Sequence, residues 1–183
     1  VARSINYYPI NDELAEEGTV SLALGLGKYI VDGGLTLRVC PYHPDKVLQT
    51  SEMEMALRET QTRFYALDLK NMGQNFSLDD GFNLLKLPVK EAENDGSLNY
   101  IAATYDPYDM VIRDGIYPGG RKVITFANIL QHDVFPLARI LQLVQKYGQG
   151  EMGRPVVIEF AVSLYAAESN GVVYVFQQRP RVD

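Results

Sequence analysis

Short apolar-rich runs, several with polar residues at alternate positions, recur along this chain between clusters of Gly, Pro, Asn and Asp. Alternation with a period of two is what a strand with one buried face requires. The runs at 35–40, 64–70, 82–89, 98–104, 110–113 and 123–126 read as strands, and residues 4–10 open the chain in the same way. Turn compositions at 94–96, 106–107, 114–115 and 118–120 separate them. Short strands in hairpin order predict a largely antiparallel sheet.

Helical spacing is clearest at 134–147. Leu137, Ile140, Leu141 and Val144 form one apolar stripe, Asp133 is placed to cap the helix, Pro136 falls in its first turn, and Gly148 ends it. Arg139 and Lys146 lie off the stripe and are expected in solvent. Residues 52–63 read as a more polar helix, and the acids within 11–17 suit a helix N-terminus. Residues 18–34 mix small and apolar side chains with Gly25, Gly27, Gly33 and Gly34. Those glycines permit tight turns or close packing, at an interval that matches neither the dinucleotide fingerprint nor a P-loop. The pattern predicts an α+β fold, a largely antiparallel sheet packed with a few helices, as one domain over 1–183.

The two arms 155–164 and 172–180 are apolar except for a few polar tips. On the first arm Val156, Ile158, Phe160, Val162 and Leu164 share a face, and Val157, Glu159, Ala161 and Ser163 share the other. On the second arm strict alternation puts Tyr174 and Phe176 on one face and Val173, Val175, Gln177 and Arg179 on the opposite one. A connection over 166–170, closed by Gly171, sets Glu159 opposite Gln177. A carboxylate, an amide oxygen and a guanidinium then line one patch. Two oxygens of this kind can hold Mg²⁺ while an Arg forks onto phosphate oxygens. The same spacing also describes an ordinary Glu–Arg pair on the solvent face of a hairpin.

Composition narrows the function classes. The chain has 183 residues and a net charge of −6, and no basic run interleaved with aromatics, which argues against a nucleic-acid surface. Its apolar stretches are too short and interrupted to span a bilayer, so a soluble, cytoplasmic protein is expected. The one cysteine, Cys40, lies on an apolar strand and reads as a packed thiol rather than a nucleophile. His43 and His132 are far apart and belong to no metal-ligand pattern. Tyr7, Tyr8, Tyr105 and Tyr108 are best explained by amphipathic packing. The chain begins at Val1 and stops soon after Pro180, which reads as a piece of a longer polypeptide.

Glu17-Gly18, Leu22 to Gly34, the helix, Pro155 to Ala161 with Glu159, and Phe176-Gln177-Gln178-Arg179-Pro180 occur in an order that resembles one family. It is the nucleotide-binding part of phosphoenolpyruvate synthase and pyruvate, phosphate dikinase. The resemblance implies an ATP-grasp fold, of which this chain is similar to the second subdomain. It implies Glu159 and Gln177 as ligands of Mg²⁺ and ATP, and Arg179 as the phosphate contact and catalytic residue. It further implies a reaction in which a phosphoryl group from ATP passes to a histidine on a separate domain and then to pyruvate. Neither His43 nor His132 lies in a context like that phosphohistidine segment.

Two departures stand beside the resemblance. Relatives in the family commonly carry an acid two positions before the glutamate, where this chain has Val157, and often Glu where this chain has Lys28. Losing a carboxylate weakens a magnesium site. A noncatalytic scaffold domain, or the nucleotide module of another dikinase or antibiotic phosphotransferase, therefore stand as alternatives.

Overall fold

In the computed structural model, residues 1–71, 81, 83–165 and 170–181 are described. In chain order the elements are β1 (Ala2–Arg3), β2 (Thr19–Leu22), α1 (Lys28–Val31), β3 (Leu37–Val39), α2 (Met53–Glu59), β4 (Arg63–Leu67), β5 (Leu84–Pro88), β6 (Ala102–Asp106), β7 (Val111–Asp114), β8 (Arg121–Ile124), α3 (Ala127–Leu130), α4 (Leu137–Met152), β9 (Val156–Tyr165) and β10 (Asn170–Pro180). The strands form a five-stranded sheet in the order β10-β9-β1-β2-β3, a β4-β5 ribbon and a three-stranded sheet in the order β7-β6-β8. Each pairing is antiparallel. The fold class is α+β, with the strands divided among three sheets rather than gathered into one.

One apolar cluster joins these layers. Ala2, Val20, Val39, Val156 and Ile158 enter it from the large sheet, Leu137 and Leu141 from α4, Phe64 from the ribbon, and Ala102 and Ile124 from the small sheet. Alternation along β9 explains its share: Val156 and Ile158 are buried, and Phe160, Val162 and Leu164 pack against the cluster on the same face. The stripe predicted for α4 faces this core as well, with Ile140 and Val144 at its margin and Arg139 and Lys146 exposed. Gln61 stitches the layers together: its Oε1 accepts from Leu24 N at 2.8 Å, and its Nε2 donates to Leu24 O and Arg63 O.

Several expectations need correction. The opening strand is Ala2–Arg3, and residues 4–10 leave the sheet because Asn6, Tyr8 and Ile10 bond to side chains instead of a strand. Residues 15–17 form a single 3-10 turn, and residues 98–101 form a turn ahead of β6. Helix α4 runs through Gly148 and ends at Gly153, whose φ of 64° provides the left-handed cap. Gly148 serves packing: a Cβ there would lie 2.6 Å from Gln178 Nε2, so its absence lets β10 approach the helix. Pro136 is the N-cap residue, and Asp133 lies upstream with a φ of 50°. Tyr8 and Tyr108 are exposed rather than packed. Phe82 and residues 166–169, which the sequence placed in a strand and in the hairpin connection, lie outside the described residues. Among the described residues no helix is long and apolar enough to cross a membrane.

Candidate functional site

The β9–β10 hairpin carries the sequence-derived site on the face of the large sheet that turns away from α4. Gln177 is the register partner of Glu159, as the spacing predicts. Arg179 is the partner of Val157, which places it diagonal to Glu159 on the same face. Its Nη2 lies 3.8 Å from Glu159 Oε1, and the two side chains are 58% and 39% exposed. An ion pair this open contributes about 0–1 kcal/mol. Among the described residues neither group makes a hydrogen bond, so both remain available to a ligand.

The register changes within β10. Val175 pairs with Phe160 and Gln177 with Glu159, so Phe176 is the extra residue of a β-bulge. The bulge corrects the strict alternation expected from sequence. Val173 and Val175 stand opposite Val162 and Phe160, on the core side, while Gln177 and Arg179 stand opposite Glu159 and Val157, on the outer side. The polar tips are solvent-facing; the burial suggested by their apolar neighbours does not extend to them.

Beyond Val157 the same row continues into β1, where Arg3 is the partner of Val157 and of Thr19. The sequence pattern does not single out Arg3, because it places the start of the opening strand at Ser4. Its backbone is firmly held. Gln145 Nε2 donates to Arg3 O at 2.8 Å, and Ser4 N donates to Val156 O at 3.0 Å. Gly18, at φ 73°, permits the approach, since a Cβ there would press on Arg3 O and stand 2.9 Å from Gln145 Nε2. The outer face thus presents Glu159, Gln177, Arg179 and Arg3 around Val157.

Other polar clusters lie elsewhere. A groove of about 520 Å³ opens on the α4 side of the sheet, lined in part by Ser4, Glu17, Tyr42, Gln142, Gln145 and Gln149. Glu17 Oε2 also accepts from Cys40 Sγ at 3.6 Å and lies 3.1 Å from His43 Nε2. Burial pushes the Cys40 thiol up to about 11, so it is a packed thiol, as expected. His132 is distant from His43 and pairs with Asp114 at 3.2 Å. Among the described residues no cluster of three His, Cys, Asp or Glu side chains is arranged to hold a metal ion.

At the outer face, one carboxylate and one amide can supply oxygens to a hard cation. Mg²⁺ usually takes one or two carboxylates and completes its shell with water and substrate phosphates, so this small donor set fits it better than Ca²⁺. Gly25, by contrast, is structural: Leu26 N donates to Tyr65 O at 3.0 Å, and a Cβ on Gly25 would strike β4. The chain matches no protein-family model, no curated protein and no solved structure.

Proposed function

We propose that the outer face of the terminal hairpin binds ATP with Mg²⁺, as part of a phosphotransferase similar to phosphoenolpyruvate synthase and pyruvate, phosphate dikinase. The observation that carries this reading is the register of β9 and β10, which sets Gln177 opposite Glu159 and puts Arg179 on the same face. In this reading Glu159 and Gln177 hold the cation, and Arg179 contacts the phosphates. Mg²⁺, when bound, would neutralise phosphate charge. The protein groups orient the chain of phosphates and stabilise the charge that develops on transfer. The ATP-grasp architecture, a phosphohistidine relay and pyruvate as acceptor belong to the same proposal; they rest on the resemblance of Glu159, Gln177, Arg179 and the Leu22–Gly34 segment.

Calorimetry of Mg²⁺–ATP against the natural full-length protein tests it. Glu159→Gln and Arg179→Ala are each expected to lose binding, by about tenfold or more. Native binding unchanged in both variants would overturn the reading.

A second reading is favoured by Val157 alone: a domain that keeps the fold but has given up ATP and acts as a scaffold. A folded native protein that binds no nucleotide would support it. A related dikinase or antibiotic phosphotransferase would share the nucleotide module and differ in the acceptor, which lies beyond these residues.

A further inference from the structure

We infer that Arg3 is a second anion-holding residue of the outer face, and that Arg3 and Arg179 together grip a polyphosphate across Val157. The anion's identity as a nucleotide rests on the proposed function; the two-arginine site itself rests on the sheet. Val157 is the register partner of Arg179 on one side and of Arg3 on the other, so the three side chains form one row on one face. Adjacent strands lie about 4.8 Å apart, which sets the two arginine Cα atoms roughly 10 Å apart. Both side chains are long enough to converge on an anion as large as a triphosphate.

The state of Arg3 points the same way. It is half-buried, and among the described residues its guanidinium has no hydrogen-bond or ion-pair partner. Arg38 on the same sheet, by contrast, reaches Asn6, Tyr8 and Glu13. A partly desolvated guanidinium without an acceptor is unfavourable, and an incoming phosphate relieves that. The backbone at Arg3 is fixed by Gln145 and by the Ser4–Val156 hydrogen bond, so little ordering is needed on binding.

Val157 completes the logic. A carboxylate at that position would pair with both arginines and neutralise them; among the described residues a valine leaves Arg3 without a partner and Arg179 with only its open pair to Glu159. With one carboxylate against two guanidiniums, this face attracts a bare polyphosphate directly. Binding should therefore depend less on a divalent cation than in a site carrying two acids.

The test is calorimetric titration of the natural full-length protein with inorganic tripolyphosphate and with ATP, each with and without Mg²⁺. Native, Arg3→Gln, Arg3→Lys, Arg179→Gln and Val157→Asp proteins are compared, with thermal unfolding run on each. Arg3→Gln is expected to weaken both ligands about tenfold, the loss of one charge-assisted contact, with an unchanged unfolding midpoint. Arg3→Lys should recover part of the affinity, and Val157→Asp should make tripolyphosphate binding depend on Mg²⁺. Native affinity in Arg3→Gln, alongside loss in Arg179→Gln, overturns the role of Arg3 and leaves the nucleotide reading standing. Tripolyphosphate bound as tightly as ATP, and lost in Arg3→Gln, upholds the two-arginine site and overturns the nucleotide reading. No binding of either ligand by the folded native protein overturns both.

Discussion

Gln177 stands opposite Glu159 because Phe176 is one residue too many for its strand. Continued without the bulge, the pairing that joins Val175 to Phe160 would set Gln177 against Ile158 and Arg179 against Val156. Those are two of the most buried positions of the sheet. The bulge turns two polar side chains from the core to the solvent.

Removing that residue and merely shortening its side chain should therefore both leave the outer-face pairings in place. Phe176 is 71% exposed, so Phe176→Ala is expected to change stability by no more than about 0.5 kcal/mol. Deletion of Phe176 takes out the supernumerary residue and leaves Val175 against Phe160 and Gln177 against Glu159 in a regular ladder, so polyphosphate binding is expected to persist and stability to change by no more than about 1 kcal/mol. Urea denaturation and calorimetry on the two variants check this.

Gly18 is the second position where backbone geometry governs the site. At its φ of 73° an L side chain is strained, and a Cβ would press on Arg3 O and Gln145 Nε2. Gly18→Ala is expected to destabilise the protein by about 1–3 kcal/mol. It should also weaken anion binding more than Gly27→Ala, since a Cβ at Gly27 meets no neighbour. Thermal unfolding together with tripolyphosphate titration separates the two effects.

Glu13 should dominate part of the acid response. Its side chain is 6% exposed; burial alone would raise its pKa, but hydrogen bonds from Arg38, Ile10 N and Asn6 outweigh that and hold it below the usual carboxylate range. A lowered folded value means that its stabilisation is present above the unfolded value of about 4.3 and is lost as pH falls through the folded one. Glu13→Gln is expected to cost about 2–3 kcal/mol at pH 7 and to flatten the fall in stability below pH 4. Denaturation curves between pH 7 and 3 measure both.

Cys40 should be inert in the native protein. Burial drives its thiol up to about 11, whereas an unfolded thiol loses its proton near 8.5. The unfolded state therefore sheds a proton first, and stability declines as pH rises from about 8.5 toward 11. Labelling with a thiol reagent at pH 8 is expected to be slow in the folded protein and fast in denaturant. Rapid native labelling would contradict the packing described here.

The elements with the strongest periodicity were legible in the sequence. The apolar stripe of α4 and the face of β9 from Val156 to Leu164 both reach the core as their spacing predicts. The Glu159–Gln177 pairing matches the sequence reading because two one-residue differences cancel: Tyr165 pairs with Asn170, which the spacing assigns to the connection, and Phe176 then adds one residue to β10. The bulge left no local sign: Phe is a favourable strand residue, and only the pairing with the neighbouring arm reveals that Phe176 is supernumerary. Arg3 escaped because a two-residue strand is too short for its alternation to be seen, and its face is set by partners far along the chain, Thr19 and Val157. Gly148 resembled a helix stop because the reason for it, the close approach of Gln178, comes from another element. Local signals identified the strands and the helix; long-range pairing decided which side chains meet on the outer face.

Strand β10 is an edge of the large sheet, and its length makes it a template on which another chain could add a strand. Val172, Tyr174 and Val175 on its first half are exposed, which makes that stretch adhesive as well as open. The irregularity at Phe176 interrupts the row of outward backbone groups, and Pro180 at the far end has no N–H to offer. A foreign strand thus finds a regular ladder only over the first half of β10. The half that carries Gln177 and Arg179 is guarded against self-association by the same irregularity that presents them.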